Sequence, residues 1–446
     1  MKSFFKMLIA SILGILTVLI LFIVIMVASF SPSPAPIANN SILKISLRKP
    51  LEDRAGIPSV SFSGMTIESN TGLNTLLHAI EQAKYDSRVN GVYLELSSVA
   101  AGIASLEEIR EALLAFKRES GKYVVAYSEY YSQKAYYLAT VADRVYLNPM
   151  GGLDFSGLSA GSVMFKGLLD KLGIEMQIIR HGKFKSAVEP FTLDKMSDEN
   201  KTQIREYISS IWNVIASTVA ESRDIALAEL NSMADALEPV LAEDVLAKNF
   251  VDKLLYEDEV LAELRKYSNA GNVKFIAPDE YYTPVEPGKG NKIALIYASG
   301  EIMSGEGDSD IMSKNMAAVI GKARGDSSVR AVVLRVNSPG GSALASEAVA
   351  RELELVKKHK PLVISMGDMA ASGGYWIASP GAKIFAHRTT LTGSIGVFGM
   401  IPNIGKAAKD KLGITFDVVT TNKHSDFPSI TRPLQPAEMN YLQKHI

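Results

Sequence analysis

Residues 331–342, Ala331-Val-Val-Leu-Arg-Val-Asn-Ser-Pro-Gly-Gly-Ser342, form an apolar, β-branched run that stops on two glycines and leads into the helical pattern Ser346–Lys358. A strand, a glycine turn and a helix in that order begin a βαβ unit. About 240 residues earlier, Gly91-Val-Tyr-Leu-Glu-Leu-Ser-Ser98 lies over Ala331–Ser338. Two more segments repeat at nearly the same offset: Tyr136-Tyr-Leu-Ala139 over Tyr375-Trp-Ile-Ala378, and Lys171-Leu-Gly-Ile174 over Lys411-Leu-Gly-Ile414. The 446-residue chain therefore reads as one body written twice. In each copy short β-branched runs (Lys122–Ala126 and Arg144–Leu147; Lys292–Tyr297, Leu362–Ser365 and Lys383–Ala386) alternate with helical patterns such as Ser105–Arg118. That alternation predicts an α/β fold of stacked βαβ units around a mostly parallel sheet.

Outward from the repeat, the chain divides into five parts. Met7 to Phe30 is free of charge, follows Lys2 and Lys6, and precedes the next charge at Lys44. About 24 apolar residues suffice to cross a hydrocarbon core of roughly 30 Å, and the lysines leave the N-terminus cytoplasmic. Residues 1–30 are thus expected to be a cytoplasmic tip and single transmembrane anchor, with the body that follows on the exported, periplasmic side. A cleaved signal peptide is the rival reading. Its apolar region is shorter and ends at a small-residue site, whereas this one passes into Ser31-Pro32-Ser33-Pro34-Ala35-Pro36. Residues 31–41 then form a stiff Pro-rich spacer, 42–277 the first repeat, 278–291 a Pro- and Gly-rich linker, and 292–446 the second repeat. The second copy has only about 20 residues beyond the counterpart of Lys185, against about 90 in the first, so roughly 70 further residues are expected of it.

Composition narrows the chemistry. A formal charge of -1 offers no electrostatic reason for a nucleic-acid partner. The absence of cysteine removes thiol nucleophiles and thiolate metal sites. No His-Glu-x-x-His and no phosphate-binding Gly-x4-Gly-Lys-Ser/Thr loop occurs, so neither a metal nor a nucleotide cofactor is expected. A hydroxyl nucleophile remains. Gly367-Asp-Met-Ala-Ala-Ser-Gly-Gly-Tyr-Trp376 follows a strand, sets Ser372 beside two glycines and opens a helix whose N-terminus favours developing negative charge. Gly340 and Gly341 end the strand already quoted, where glycine lets amides converge on one point, as an oxyanion hole requires. Ser394, in Leu391-Thr-Gly-Ser-Ile-Gly396, is a third polar group on a neighbouring turn. Each of these has an ordinary structural reading as a cap or turn.

A serine needs a base. Of the six histidines, His387 stands best, just after a strand, but no motif supports it. The two copies can be read against each other, because they should differ where one alone performs chemistry. Opposite Ser372 the first copy has Gln133, and opposite Gly340 and Gly341 it has Ala100 and Ala101. Conversely, the first copy holds Lys185 in Gly182-Lys-Phe-Lys-Ser-Ala-Val-Glu-Pro190, where the second has Ser425. Alone, Lys185 would be a surface lysine pairing with Glu189 four residues on. Against these complementary losses it becomes a candidate base.

Lys185-Ser-Ala-Val-Glu-Pro190, Asn337-Ser-Pro-Gly-Gly-Ser342, Ala370-Ala-Ser-Gly-Gly-Tyr-Trp376 and Thr392-Gly-Ser-Ile-Gly-Val-Phe-Gly399, with the anchor and the duplication, resemble the signal peptide peptidase A (protease IV) family in its long fused form. The resemblance spans nearly the whole chain. It implies tandem Clp-protease/crotonase-like domains and a Ser/Lys serine peptidase that cleaves hydrophobic peptides, including remnant signal peptides in the membrane. It also implies a ring-like homotetramer facing the membrane, with no cofactor. By motif, Ser372 would be the nucleophile and Lys185 the general base. Ser394 would orient the lysine, and Gly340 and Gly341 with the Ser372 amide would form the oxyanion hole. A lysine base must be desolvated, because at its ordinary pKa near 10.4 it is almost wholly protonated at pH 7. A crotonase-type acyl-thioester binder and a catalytically inert scaffold are the alternatives from other classes.

Overall fold

The computed structural model describes residues 2–30, 37–55, 59–61, 66–68, 71–268, 272–281, 288, 290–308 and 310–446. Most of the expected spacer (31–36) and much of the expected linker (282–287 and 289) lie outside the described residues. The apolar N-terminal run is helical, α1 (Lys2–Phe30). Its side chains are described without a break only over residues 9–22, about 21 Å of helix. Among the described residues no helix is long and apolar enough to cross a membrane.

The first half then runs β1 (Ser41–Leu47), α2 (Leu73–Tyr85), β2 (Val89–Val99), α3 (Ile103–Ser120), β3 (Tyr123–Tyr131), α4 (Gln133–Ala139), β4 (Arg144–Leu153), α5 (Lys166–Leu172) and β5 (Glu175–Arg180). It continues through α6 (Asp198–Arg223), β6 (Lys253–Leu254), α7 (Glu257–Ser268) and β7 (Lys274–Ile276). The second half begins with β8 (Lys292–Met303), β9 (Ile311–Met312), α8 (Ser313–Gly325), β10 (Val329–Gly341), α9 (Ala343–Lys357) and β11 (Leu362–Ala371). It ends with α10 (Gly373–Ala378), β12 (Lys383–Phe385), β13 (Leu391–Gly393), β14 (Phe398–Asn403), α11 (Gly405–Leu412) and α12 (Pro436–His445). The fold is mixed α/β with two parallel sheets, ordered β6-β4-β3-β2-β1-β7 and β9-β8-β10-β11-β12, and β13 also pairs with β11. The strand orders β4-β3-β2-β1 and β12-β11-β10-β8 correspond. So do the registers, with Ile42 opposite Gly91 in one sheet and Ile293 opposite Ala331 in the other.

Parallel strands bury both faces when helices cover both, which is why their sequences read as continuous apolar runs rather than alternating ones. On one face of the first sheet Leu43, Val92, Leu94 and Val124 pack under α2 and α3. On the other, Ile42, Tyr93, Val125 and Tyr146 pack under Val260 and Leu264 of α7. Burying one such aliphatic side chain contributes about 1.5–3 kcal/mol. The second sheet buries Ile296, Val332, Leu334, Leu362 and Ile364 on its helix-covered face. Its other face is open among the described residues: Ile293 and Phe385, the register counterparts of Ile42 and Tyr146, are 69% and 60% exposed.

Several contacts join the halves, three of which set their docking. β5 pairs antiparallel with β14, from Glu175 opposite Asn403 to Arg180 opposite Phe398. Helix α3 of the first half has Gly102 at its N-cap, which offers no capping side chain. The missing acceptor comes from β11 of the second half: Asp368 accepts from Ser105 N at 3.0 Å and Ser105 Oγ at 2.6 Å. Gly102 leaves room for this, because a Cβ there would lie 2.1 Å from the Asp368 Cγ. Alongside is a buried charge cluster. Arg335 of β10 reaches Asp53 at 2.8 Å and Glu108 at 2.7 Å, while His387 stands 3.6 Å from Glu108 and 3.7 Å from Glu107. The Thr389 hydroxyl also donates to Glu107. A buried ion pair is weak evidence for stability, but breaking one leaves an uncompensated charge, so the cluster favours a single docking register.

Asp368→Ala is expected to lower stability by about 1–2 kcal/mol in urea unfolding, with Asp368→Asn less severe because it keeps an acceptor. His387 has a second measurable consequence. The Glu108 carboxylate 3.6 Å away, with the charges of Glu107 and Glu111, raises its pKa above the ordinary histidine value despite burial. A raised folded-state pKa gives stability that is fully present below the unfolded value near 6.5 and is lost as pH rises through the folded value. The urea midpoint should therefore fall as pH rises from about 6.5 through the raised folded-state value, and His387→Gln should remove that component of the slope.

Candidate active site

Strand β11 ends at Ala371, and Ser372 turns the chain sharply into α10 with φ 53° and ψ −117°. A non-glycine residue in that region costs about 1–3 kcal/mol and persists only where its surroundings over-determine it. They do so here. Ser372 N donates to Gly393 O at 2.8 Å, and Trp376 N donates back to Ser372 O at 2.9 Å. The glycines around the serine serve close packing. A Cβ on Gly340 would sit 2.5 Å from Gly373 N and 2.8 Å from Ser372 Cβ, and one on Gly374 would sit 2.6 Å from Ser338 O. The Asn337–Ser342 turn and the Ser372 turn, far apart in sequence, are thereby pressed together.

Lys185 arrives from the first half. It precedes a 3-10 turn (Ser186–Val188) held against the N-terminus of α6. Glu189 does not pair with it on the surface. That carboxylate is buried and accepts from Ser197 N at 3.1 Å, Ser197 Oγ at 2.6 Å and Asn200 Nδ2 at 2.9 Å. Asn200 in turn accepts from Ser186 Oγ at 2.9 Å. The Lys-Ser-Ala-Val-Glu-Pro segment is thus a bracket that fixes the lysine backbone and leaves its side chain free to cross to the other half.

Lys185 as a whole is 6% exposed. Its Nζ lies 3.1 Å from Ser372 Oγ, 3.1 Å from Ser394 Oγ and 2.6 Å from Ser394 O. All three partners are uncharged, and no carboxylate reaches the amine among the described residues. Burial pushes its pKa below the ordinary lysine value. A neutral amine has two N–H donors and one lone pair. Two bonds to Ser394 use the donors, and the lone pair then faces the Ser372 hydroxyl. Ser394 itself has φ 51°, which brings its carbonyl and hydroxyl to the same amine.

The structure thus brings Ser372, Lys185, Ser394, Gly340 and Gly341 around one cleft of about 730 Å³, which Tyr375, Trp376, Ile395, Val397 and Phe398 make largely apolar. One expectation needs correcting: the Ser372 amide is taken by Gly393 O and does not point at the cleft as a free donor. The Gly340 amide donates to Ser338 Oγ at 3.1 Å. Gly341 differs. Ser342 N donates to Ile302 O at 2.8 Å, and alternate residues of a strand face opposite ways, so the Gly341 N–H turns away from β8. A Cβ on Gly373 would lie 3.2 Å from that nitrogen. Gly373 N is the first amide of α10 and has no helical partner of its own. The Gly341 and Gly373 amides are therefore the candidates for receiving an oxyanion. Gly373 was legible only as part of a glycine pair, because strand pairing decides which amides are occupied.

The histidines stand elsewhere. His387 is engaged by Glu107 and Glu108, His181 lies 3.0 Å from Gln443, His424 lies 3.0 Å from Glu438, and none lines the cleft.

The chain is 39% identical over 387 residues to "Protease 4" of Haemophilus influenzae, a match covering 81% of this chain and 62% of that protein. It is 38% identical over 385 residues to "Protease 4" of Salmonella typhi, covering 83% and 62%. It is 30% identical over 426 residues to "Serine protease SPPA, chloroplastic" of Arabidopsis thaliana, covering 92% and 61%. The chain thus spans about three fifths of the length of these relatives. The model of peptidase family S49 matches residues 116–271 and 354–446. One matched stretch carries the lysine and the other the serine that meet in the cleft, and the chain belongs to peptidase family S49.

Proposed function

We propose that the protein is a membrane-anchored serine endopeptidase that degrades hydrophobic peptides, remnant signal peptides among them, with Ser372 as nucleophile and Lys185 as general base. The observation that carries this reading is the 3.1 Å approach of a buried lysine amine, bonded only to uncharged groups, to a strained serine hydroxyl. Family membership and the protease names of the relatives support it. The apolar cleft suits hydrophobic side chains.

In this mechanism the neutral Lys185 amine takes the Ser372 proton as Oγ bonds to the scissile carbonyl carbon. The carbonyl oxygen becomes an oxyanion, received by the Gly341 and Gly373 amides, while Gly340 permits the close approach. Collapse breaks the C–N bond, and the leaving amine takes the proton back from Lys185. Water, deprotonated by the same lysine, then hydrolyses the acyl-enzyme and regenerates Ser372. Ser394 holds the amine through its two oxygens. The matching strand orders support descent of the halves from one Clp-protease/crotonase-like unit, divided between 42–277 and 292–446. Tethering through residues 1–30 and assembly as a ring-like homotetramer, with the body on the periplasmic side, belong to the same proposal. The uncharged run Met7–Phe30 supports the tether.

With a fluorogenic apolar peptide, Ser372→Ala and Lys185→Ala are each expected to lose on the order of a thousandfold or more in kcat, while His387→Gln keeps most of it. Activity that survived Lys185→Ala would sink the dyad. In the wild type, kcat/KM should climb with pH as the lysine deprotonates, with a midpoint below the ordinary value near 10.4. A flat acid limb would contradict a lysine base.

A further inference from the structure

Glu301 stands apart from its surroundings in the cleft. It lies on β8, its Cα opposite that of Gly340. Among the described residues that line the cleft, Lys185 is the one amine and Glu301 the one carboxylate, and the rest are small or apolar groups and hydroxyls. The Glu301 backbone is fixed: its N–H donates to Asp310 Oδ1 at 3.2 Å, and the preceding Gly300 has φ +98°, packed so closely that a Cβ would lie 2.6 Å from the same oxygen. Its side chain is exposed and makes no hydrogen bond or ion pair among the described residues. A working Lys185 is neutral, so the cleft then carries one negative charge, aimed from a rigid strand beside the turn that receives the scissile carbonyl. An unpaired carboxylate on an apolar wall attracts a cation and disfavours an acid.

We propose that Glu301 selects peptides bearing a cationic group, either a lysine or arginine side chain or a free amino terminus, near the bond that is cut. Adjacent strands lie about 4.8 Å apart and an extended peptide advances about 3.3 Å per residue, so the group falls within roughly three residues of the scissile carbonyl. The substrate class becomes an apolar peptide with a basic flank. This rests on the cleft being a peptidase site.

The test uses apolar fluorogenic peptides with lysine, norleucine or glutamate placed in turn at the three positions on either side of the cleavage site, with acetylated and free amino termini. Wild type, Glu301→Gln and Glu301→Lys are compared by kcat/KM. At one position at least, or with the free amine, wild type should favour the cationic peptide about fivefold at low salt, and added salt should shrink the gap. With each rate taken relative to the norleucine peptide in the same variant, Glu301→Gln should abolish the preference and Glu301→Lys should shift it to the glutamate peptide. A response confined to the free amine identifies the amino terminus as the cation, and one confined to lysine identifies the side chain. A preference that persists in Glu301→Gln, or none in the wild type, overturns the proposal. Anisotropy of the same peptides on Ser372→Ala, with and without Glu301→Gln, reads the contrast without turnover. Failure of the peptidase reading would then appear as absent hydrolysis with the binding contrast intact.

Discussion

A lysine amine without a carboxylate, held out of water 3.1 Å from a serine hydroxyl, is the contact on which the rest of this structure depends. A solvated lysine keeps its proton and is no base, and a buried one next to an acid keeps it too. The amine must be desolvated and must meet only uncharged acceptors. Neither half achieves this alone, since the lysine side chain leaves the first half and finds all its partners on two turns of the second.

That demand accounts for much of the surrounding architecture. The bracket from Ser186 to Asn200, closed by the buried Glu189, holds the lysine from behind. The Asp368 cap on α3, the charge cluster around Arg335 and the β5–β14 pairing set how far the two sheets sit from one another. Each joins a residue of the first half to one of the second, so an error in docking would appear directly in the distance between amine and hydroxyl. The strain at Ser372 is held by the same packing. Its positive φ persists because β13 supplies a carbonyl to its amide and the Asn337–Ser342 turn fills the space beside it.

The amides divide in an informative way. Ser372 commits its own N–H to Gly393 O, so the next amide along the chain, that of Gly373 at the start of α10, is the one left beside its hydroxyl. Among the described residues that line the cleft, Glu301 is the one carboxylate, set among small and apolar groups, hydroxyls and the Lys185 amine.

The sequence by itself determined the parallel α/β architecture, because buried parallel strands must be continuously apolar and helices must intervene between them, and Ala331–Ser342 and its counterpart at Gly91 are written that way. It also marked Ser372 and Lys185 as candidates, since the two matching stretches of sequence differ at both positions, and the structure places their side chains 3.1 Å apart. Only the tertiary structure decided that Glu189 holds the lysine backbone instead of pairing with its amine, that His387 belongs to an interface of charges, and that the Ser372 amide is already engaged. Each of these depends on which group fills a hydrogen-bonding position first. That competition is settled between segments up to some 280 residues apart, as in the Arg335 to Asp53 contact, and local pattern carries no information about it.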